Sequence, residues 1–413
     1  MINFNSFELN NGLKVYVHED PKSLTTSFNL CYNVGSRDEH PEKTGFAHLF
    51  EHLMFGGSRH IPSFDEPLQK AGGNNNAFTS TDITNYYITL PSQNLETAFW
   101  LESDRMLGLS FDPKVLEVQK NVVIEEFKQR YLNQPYGDVW LKFRPVIYKK
   151  HPYRWPTIGK EISHIENATM DDVRDFFYRY YLPNNAVLVV AGNVTVSEVE
   201  RLSRKWFGDI PAGKVSPKNI PAEPAQTEAR LLRHEANVPL KTLYKAYHTP
   251  KKHDRAQYAV DLFGDIFGKG QSSLIYQELV KEKQIFTGLS AQNTSYLDGG
   301  LFLISGSVNP DISLEDADAE IERCLATALQ NPDHREKLDK VKTQAVSLDK
   351  FSETEVLNRA MKLAFAANAG DVNLANTAIT HLESVSPDEM MSSARQYLTK
   401  ENCSTLYYSP LKA

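Results

Sequence analysis

His48, Glu51 and His52 stand in the order His-x-x-Glu-His inside the segment Phe46-Ala-His-Leu-Phe-Glu-His-Leu-Met-Phe55. On a helix, residues four apart share a face, so both imidazoles can reach one Zn²⁺ at about 2.0–2.1 Å. Glu51 follows the first histidine by three and lies beside that face, where it can act as a general base toward water. A catalytic zinc takes three protein ligands and one water, so a carboxylate must still come from elsewhere in the chain. Each imidazole also needs an acceptor for its second N–H, which spacing alone does not identify. The competing reading is a pair of solvent-facing histidines with a carboxylate partner on a surface helix. Phe46, Ala47, Leu49, Phe50, Leu53, Met54 and Phe55 surround the trio, however, and buried ionisable groups need a partner such as a metal.

These residues require a rigid frame. Phe7-Glu-Leu-Asn10, the turn signal Asn10-Asn-Gly12 and Leu13-Lys-Val-Tyr-Val17 read as a β-hairpin, and Thr26 to Val34 as a further strand. Polar residues 35–43 lead into a helix predicted over 45–55 from its apolar period. A Gly/Asn loop is expected at 72–76, a strand near Tyr86 to Leu90, and helices over 95–109 and 113–131. Ala186-Val-Leu-Val-Val-Ala191 suits a buried central strand. Phe176-Phe-Tyr-Arg-Tyr-Tyr181 reads as core, and His151 and His164 as packing or surface histidines. Gly268-Lys-Gly270-Gln-Ser-Ser lacks the third glycine and the Gly-Lys-Thr/Ser of phosphate loops, so a helix terminus is expected there.

A chain of 413 residues suits two domains of about 200 residues better than one core. Pro211, Gly213, Pro217, Pro221 and Pro224 mark a linker, dividing the chain into 1–212, a connection over 213–230, and 231–413. The halves repeat weakly. Ala47-His-Leu-Phe-Glu-His-Leu53 lies over Val260-Asp-Leu-Phe-Gly-Asp-Ile266, which places His48 on Asp261, Glu51 on Gly264 and His52 on Asp265. Thr169-Met-Asp-Asp-Val similarly matches Ser386-Pro-Asp-Glu-Met. The second copy keeps the helix without the imidazoles, as a structural or substrate-binding counterpart would. The net charge of −7 argues against a nucleic-acid partner. Cys31, Cys324 and Cys403 are too scattered for a cysteine zinc site and read as buried thiols. No apolar stretch is long enough to span a bilayer, and the start Met1-Ile-Asn-Phe-Asn lacks the charged and apolar regions of a signal peptide. The expected compartment is therefore the cytoplasm as written, or the periplasm if a leader has been removed.

Gly45-Phe-Ala-His-Leu-Phe-Glu-His-Leu-Met-Phe-Gly-Gly-Ser58 resembles the inverzincin motif of the pitrilysin/insulinase metallopeptidases. The likeness extends to Asn10-Asn-Gly-Leu-Lys-Val, Gly35-Ser-Arg-Asp-Glu39, Asn76-Ala-Phe-Thr-Ser80, Asn121-Val-Val-Ile-Glu-Glu126, His151-Pro-Tyr153 and Tyr181-Leu-Pro-Asn-Asn185. Length and repeat are similar to the branch that holds mitochondrial processing peptidase and its small bacterial relatives. The resemblance implies an α+β, layered fold: two homologous domains, each a mixed, largely antiparallel sheet packed with helices, facing each other across a chamber. It implies one Zn²⁺ per chain, whose third ligand is a glutamate on a later helix. Glu126, 74 residues beyond His52, is the match by register, with Glu125 the alternative. Seven residues earlier, where relatives often carry another glutamate, this chain has Gln119. Asn76, Ala77 and Phe78 match the edge strand on which an extended peptide pairs by β-augmentation.

One departure bears on function. Many relatives carry an arginine and a tyrosine in the second domain that hold the substrate carbonyl. The matching stretch here is Lys281-Glu-Lys-Gln-Ile-Phe-Thr287, which has neither the planar guanidinium nor the phenol. The expected protein is a zinc metalloendopeptidase for unfolded peptides or presequences, the zinc-bearing subunit of a heterodimer whose homologous partner supplies Arg and Tyr. The alternatives are a non-catalytic scaffold or peptide-binding subunit of the same fold, and a self-sufficient homodimeric peptidase.

Overall fold

The computed structural model describes residues 1–215, 218–331 and 334–411; Pro217 of the expected linker lies outside them. Eleven strands are described: β1 (Asn5–Glu8), β2 (Lys14–Glu19), β3 (Thr25–Tyr32), β4 (Asn74–Thr79), β5 (Thr84–Pro91), β6 (Ala186–Gly192), β7 (Arg230–Ala236), β8 (Thr242–Thr249), β9 (Phe286–Thr294), β10 (Gly300–Val308) and β11 (Cys403–Pro410). They form two sheets, ordered β1-β2-β6-β3-β5-β4 and β7-β11-β8-β10-β9. Within each sheet one pair is parallel, β2 with β6 and β7 with β11, and the rest are antiparallel. Apart from β1, the two sheets have the same strand order with the parallel pair at the same place. The internal repeat is thus visible as a repeated topology, and the fold is α+β.

Four helices carry the argument. They are α1 (Phe46–Leu53), α2 (Pro113–Phe127), α3 (Arg255–Gly268) and α4 (Val356–Asn368). Helix α1 connects β3 to β4, and α3 connects β8 to β9, so the two segments overlaid in sequence occupy equivalent places in their sheets. Helix α3 ends at Gly268, as the glycine-rich stretch led one to expect.

The contacts divide the chain into two units that are each discontinuous in sequence, and not at a single cut within 213–230. Unit 1 comprises Met1–Gln129, Trp155–Ile220 and Lys350–Thr377; unit 2 comprises Arg130–Arg154, Pro221–Asp349 and Ala378–Ala413. The physical reason is that a sheet has two apolar faces to cover. In unit 1, Cys31, Val187, Val189 and Ala191 are covered by Ala360, Leu363 and Ala364 of α4, a helix from the second half of the sequence. In unit 2, the helix Val139–Ile147, from the first half, places Val139, Phe143 and Ile147 against Ala246, Leu301 and Leu406.

Two local readings change. Asn74–Asn76, expected as loop, are strand residues at the border of the sheet, where asparagine meets water on one side. The cluster at 176–181 is core at Phe176, Phe177 and Tyr181, but Tyr178 is exposed. All three cysteines are buried and none is in a disulfide.

Candidate metal centre

Helix α1 is short, and its start is held by side chains distant from it. Gly45 precedes it with φ +88°, and a Cβ there would meet the Ile158 carbonyl oxygen at 2.5 Å, so only glycine fits. The Glu39 carboxylate accepts the Gly45 N–H and the Ala47 N–H, both at 2.9 Å, and the Trp155 Nε1–H at 3.1 Å. Carboxyl oxygen is thereby supplied to the orphan N–H groups of a helix N-terminus. The apolar side, Phe46, Ala47, Leu49, Phe50 and Leu53, is buried, with Phe50 stacked on Tyr181 at 5.2 Å between ring centroids. The other side carries His48 and His52, whose rings lie 4.8 Å apart, nearly perpendicular.

Helix α2 is started by Asp112, which accepts the Lys114 N–H at 2.8 Å, with Pro113 in the first turn. Its far end brings Glu126 to α1. Glu126 Oε2 lies 3.6 Å from His48 Nε2 and 3.5 Å from His52 Nε2. Ligands held tetrahedrally at about 2.0–2.1 Å from zinc are about 3.3 Å apart. Two imidazole nitrogens and one carboxylate oxygen at these spacings fit the donor set of a catalytic zinc, with one position left for water. Among the described residues, this is the cluster of three or more His, Cys, Asp or Glu side chains with ligand atoms converging within 4.8 Å. Glu125, the alternative, is largely exposed and accepts Lys128 Nζ at 2.8 Å. Gln119 stands two turns before Glu126 on the same side of α2.

Glu51 lies beside this cluster. The Thr79 hydroxyl donates to Glu51 Oε2 at 2.6 Å and fixes the carboxylate. Burial pushes the Glu51 pKa above the ordinary carboxylate range, while the Thr79 hydrogen bond and the nearby His52 pull it down. Thr79 is the last residue of β4, the border strand on which Asn76, Ala77 and Phe78 also lie. The Ala77 N–H is taken by the Asn76 side-chain oxygen at 2.8 Å.

Unit 2 differs at the equivalent place. Asp261 of α3, opposite His48 in the repeat, is half-buried with Asn293 Nδ2 donating at 2.6 Å, and desolvation raises its pKa to about 7. Asp265 pairs with Lys269 at 2.9 Å. Lys281 is exposed, and Thr287 is exposed on β9 with its hydroxyl on the Ser307 carbonyl at 3.2 Å.

Sequence reasoning did not assign roles to Glu39 and Thr79, though both fall inside segments it singled out. Glu39 is not at the capping-box offset, and Thr79 acquires its role only through the register of β4. Arg105 was also missed: it is buried against Glu102, with its guanidinium over Tyr86 and Phe64 at 4.3 and 4.4 Å.

The sequence model of the insulinase family, peptidase family M16, matches residues 14–144, and that of the M16 inactive domain matches residues 167–345. Zinc protease PqqE of Helicobacter pylori is 32% identical over 345 residues, which span 82% of this chain and 77% of that one. The chain belongs to the M16 insulinase family. A further relative is an uncharacterized zinc protease, YmxG, of Bacillus subtilis, 27% identical across 81% of this chain and 80% of its own. Among solved structures, a protease from Helicobacter pylori superposes with a TM-score of 0.93 at 27% identity, covering 99% of this chain and all 100% of that one. An M16 inactive-domain protein from Pseudomonas fluorescens, at 17% identity, shares the fold with a TM-score of 0.88. Among the described residues, no helix is long and apolar enough to cross a membrane.

Proposed function

We propose that this M16 chain is a zinc metalloendopeptidase for extended, unfolded peptides, with His48, His52 and Glu126 as metal ligands and Glu51 as general base. The observation that carries the reading is the convergence of Glu126 Oε2 on both histidine Nε2 atoms at 3.5–3.6 Å, with Glu51 alongside. Bound there, Zn²⁺ would supply Lewis acidity to water and to the peptide carbonyl. Glu51, held through Oε2 by Thr79, has Oε1 to take the proton of the attacking water and to return it to the leaving amine. The open border of β4 accepts a peptide strand, with Asn76, Ala77 and Phe78 as contacts; Asn76 Oδ1 must release the Ala77 N–H for that strand to pair.

Lys281 and Thr287 stand at the positions where relatives carry the arginine and tyrosine that hold the substrate carbonyl. The reading therefore includes a homologous partner that supplies that pair, in the manner of a heterodimeric processing peptidase. Two measurements test it. Purified chain should contain about one zinc, and peptide cleavage should rise at least tenfold when a partner co-purified from the native source is added, and vanish in Glu51→Gln. Full activity of the chain alone would favour the self-sufficient homodimer. Absence of stoichiometric zinc, with Glu51→Gln changing nothing, would identify a scaffold of the same fold.

A further inference from the structure

Strand alternation gives β4 two faces. Thr79 points to α1, where it donates to Glu51, and Ala77 shares that face. Phe78 points the other way and meets Phe365 of α4 edge-to-face, with ring centroids 5.9 Å apart and planes at 78°. Asn85 of β5, opposite Phe78, is also opposite Cys31 of β3, which packs under α4, so Phe78 and Cys31 share the face that α4 covers. Helix α4 packs on this side of the sheet, and both phenyl rings are only partly buried.

A peptide strand added to the border of β4 would alternate its side chains between the same two faces. The residue directly opposite Phe78 would have its Cβ about 4.5–5.5 Å from that of Phe78. We propose that Phe365, acting through Phe78, is a specificity-determining residue: the ring pair forms an aromatic wall against which the substrate side chain pointing away from Glu51 packs. That substrate position then favours an aromatic or large aliphatic residue, while its neighbours, on the Glu51 face, are chosen by other groups. Phe365 is a positioning residue here, and it reaches this place only because α4 crosses from the second half of the sequence. The inference rests on the peptidase reading above and deepens it.

The test is a set of peptides identical but for one position, scanned along the substrate, assayed with the chain and any partner that co-purifies. Wild type should prefer Phe or Leu over Ser at the position opposite Phe78. Phe365→Ala should reduce that preference about three- to tenfold, the worth of one aromatic pair, and leave the preferences at the two adjacent positions unchanged. Phe365→Leu should retain most of the preference. Phe78→Ala should lose it, with no further loss in the double variant. If Phe365→Ala does not fold, the Leu and Phe78→Ala variants carry the same comparison. A uniform loss of kcat/KM across all peptides, or an unmoved preference, overturns the inference while leaving the peptidase reading intact. If wild type cleaves no peptide and Glu51→Gln captures none, the peptidase reading fails and takes this inference with it.

Discussion

At the scale of single residues, the proposed chemistry depends on which carboxylate meets the two histidines and which group holds Glu51. Adjacent Glu125 and Glu126 cannot both face α1, and Glu126 meets the histidines while Glu125 pairs with Lys128. Glu126→Gln should weaken zinc binding by more than about 100-fold, read by metal content after dialysis against a chelator, whereas Glu125→Gln should retain the metal. Equal loss in both variants would refute the ligand assignment. The Thr79 hydroxyl donates to Glu51 Oε2 at 2.6 Å and lies 3.4 Å from the Ala47 carbonyl of α1. Removing one hydrogen bond to a charged group costs about 1.5–3 kcal/mol. Thr79→Ala should accordingly lower kcat about ten- to 100-fold with KM little changed, and Thr79→Ser should restore most of it. The two histidines and Glu51 were legible from their spacing, because a helix converts four residues into one shared face. Thr79 was not, because a hydroxyl becomes a carboxylate's partner only once strand and helix are packed.

At the scale of elements, the eight-residue helix α1 depends on Glu39 at its start, a carboxylate buried with three N–H donors. Burial nevertheless raises its pKa to about 8, against those hydrogen bonds. Because the folded value lies above the unfolded one, the folded state binds the proton more tightly. The resulting stabilisation is complete below about pH 4.5 and disappears as pH rises through 8. Urea unfolding between pH 5 and 8 should therefore show stability falling with pH through this group, and Glu39→Gln, which imitates the neutral form, should flatten that slope. An identical slope in both proteins would show that Glu39 is ionised throughout. The helix itself was predicted from its apolar period, with ends misplaced by one residue and two, since fraying and glycine flanks blur boundaries. The start of β4 at Asn74 and Asn75, ahead of the edge strand expected from Asn76, was not predicted, because its pairing with Thr89 and Ile88 overrides the turn preference of asparagine.

At the scale of the molecule, each unit borrows a helix from the other half of the sequence. A fragment ending at residue 230 would keep β1 to β6 yet leave Val187, Val189 and Ala191 uncovered, since α4 lies at 356–368. Such a fragment should aggregate or remain molten, as judged by near-UV circular dichroism and dye binding. In native-state hydrogen exchange, amides of α4 should open together with β3 and β6. Opening together with β8 and β11 would contradict the contact-based division. Leu363→Ala should cost about 2–5 kcal/mol and destabilise unit 1.

The sequence by itself determined the local chemistry: two imidazoles and a carboxylate on one helical face, a duplicated α+β plan, and a second copy without ligands. The shared helical face and the changed second copy follow from spacing and from the internal repeat, while the α+β plan is what the family resemblance implied. Only the tertiary structure decided which glutamate meets the histidines, what orients Glu51, and which helix covers which sheet. Each of these depends on contacts between residues tens to hundreds of positions apart. Local spacing does not encode such contacts; burying both faces of each sheet does.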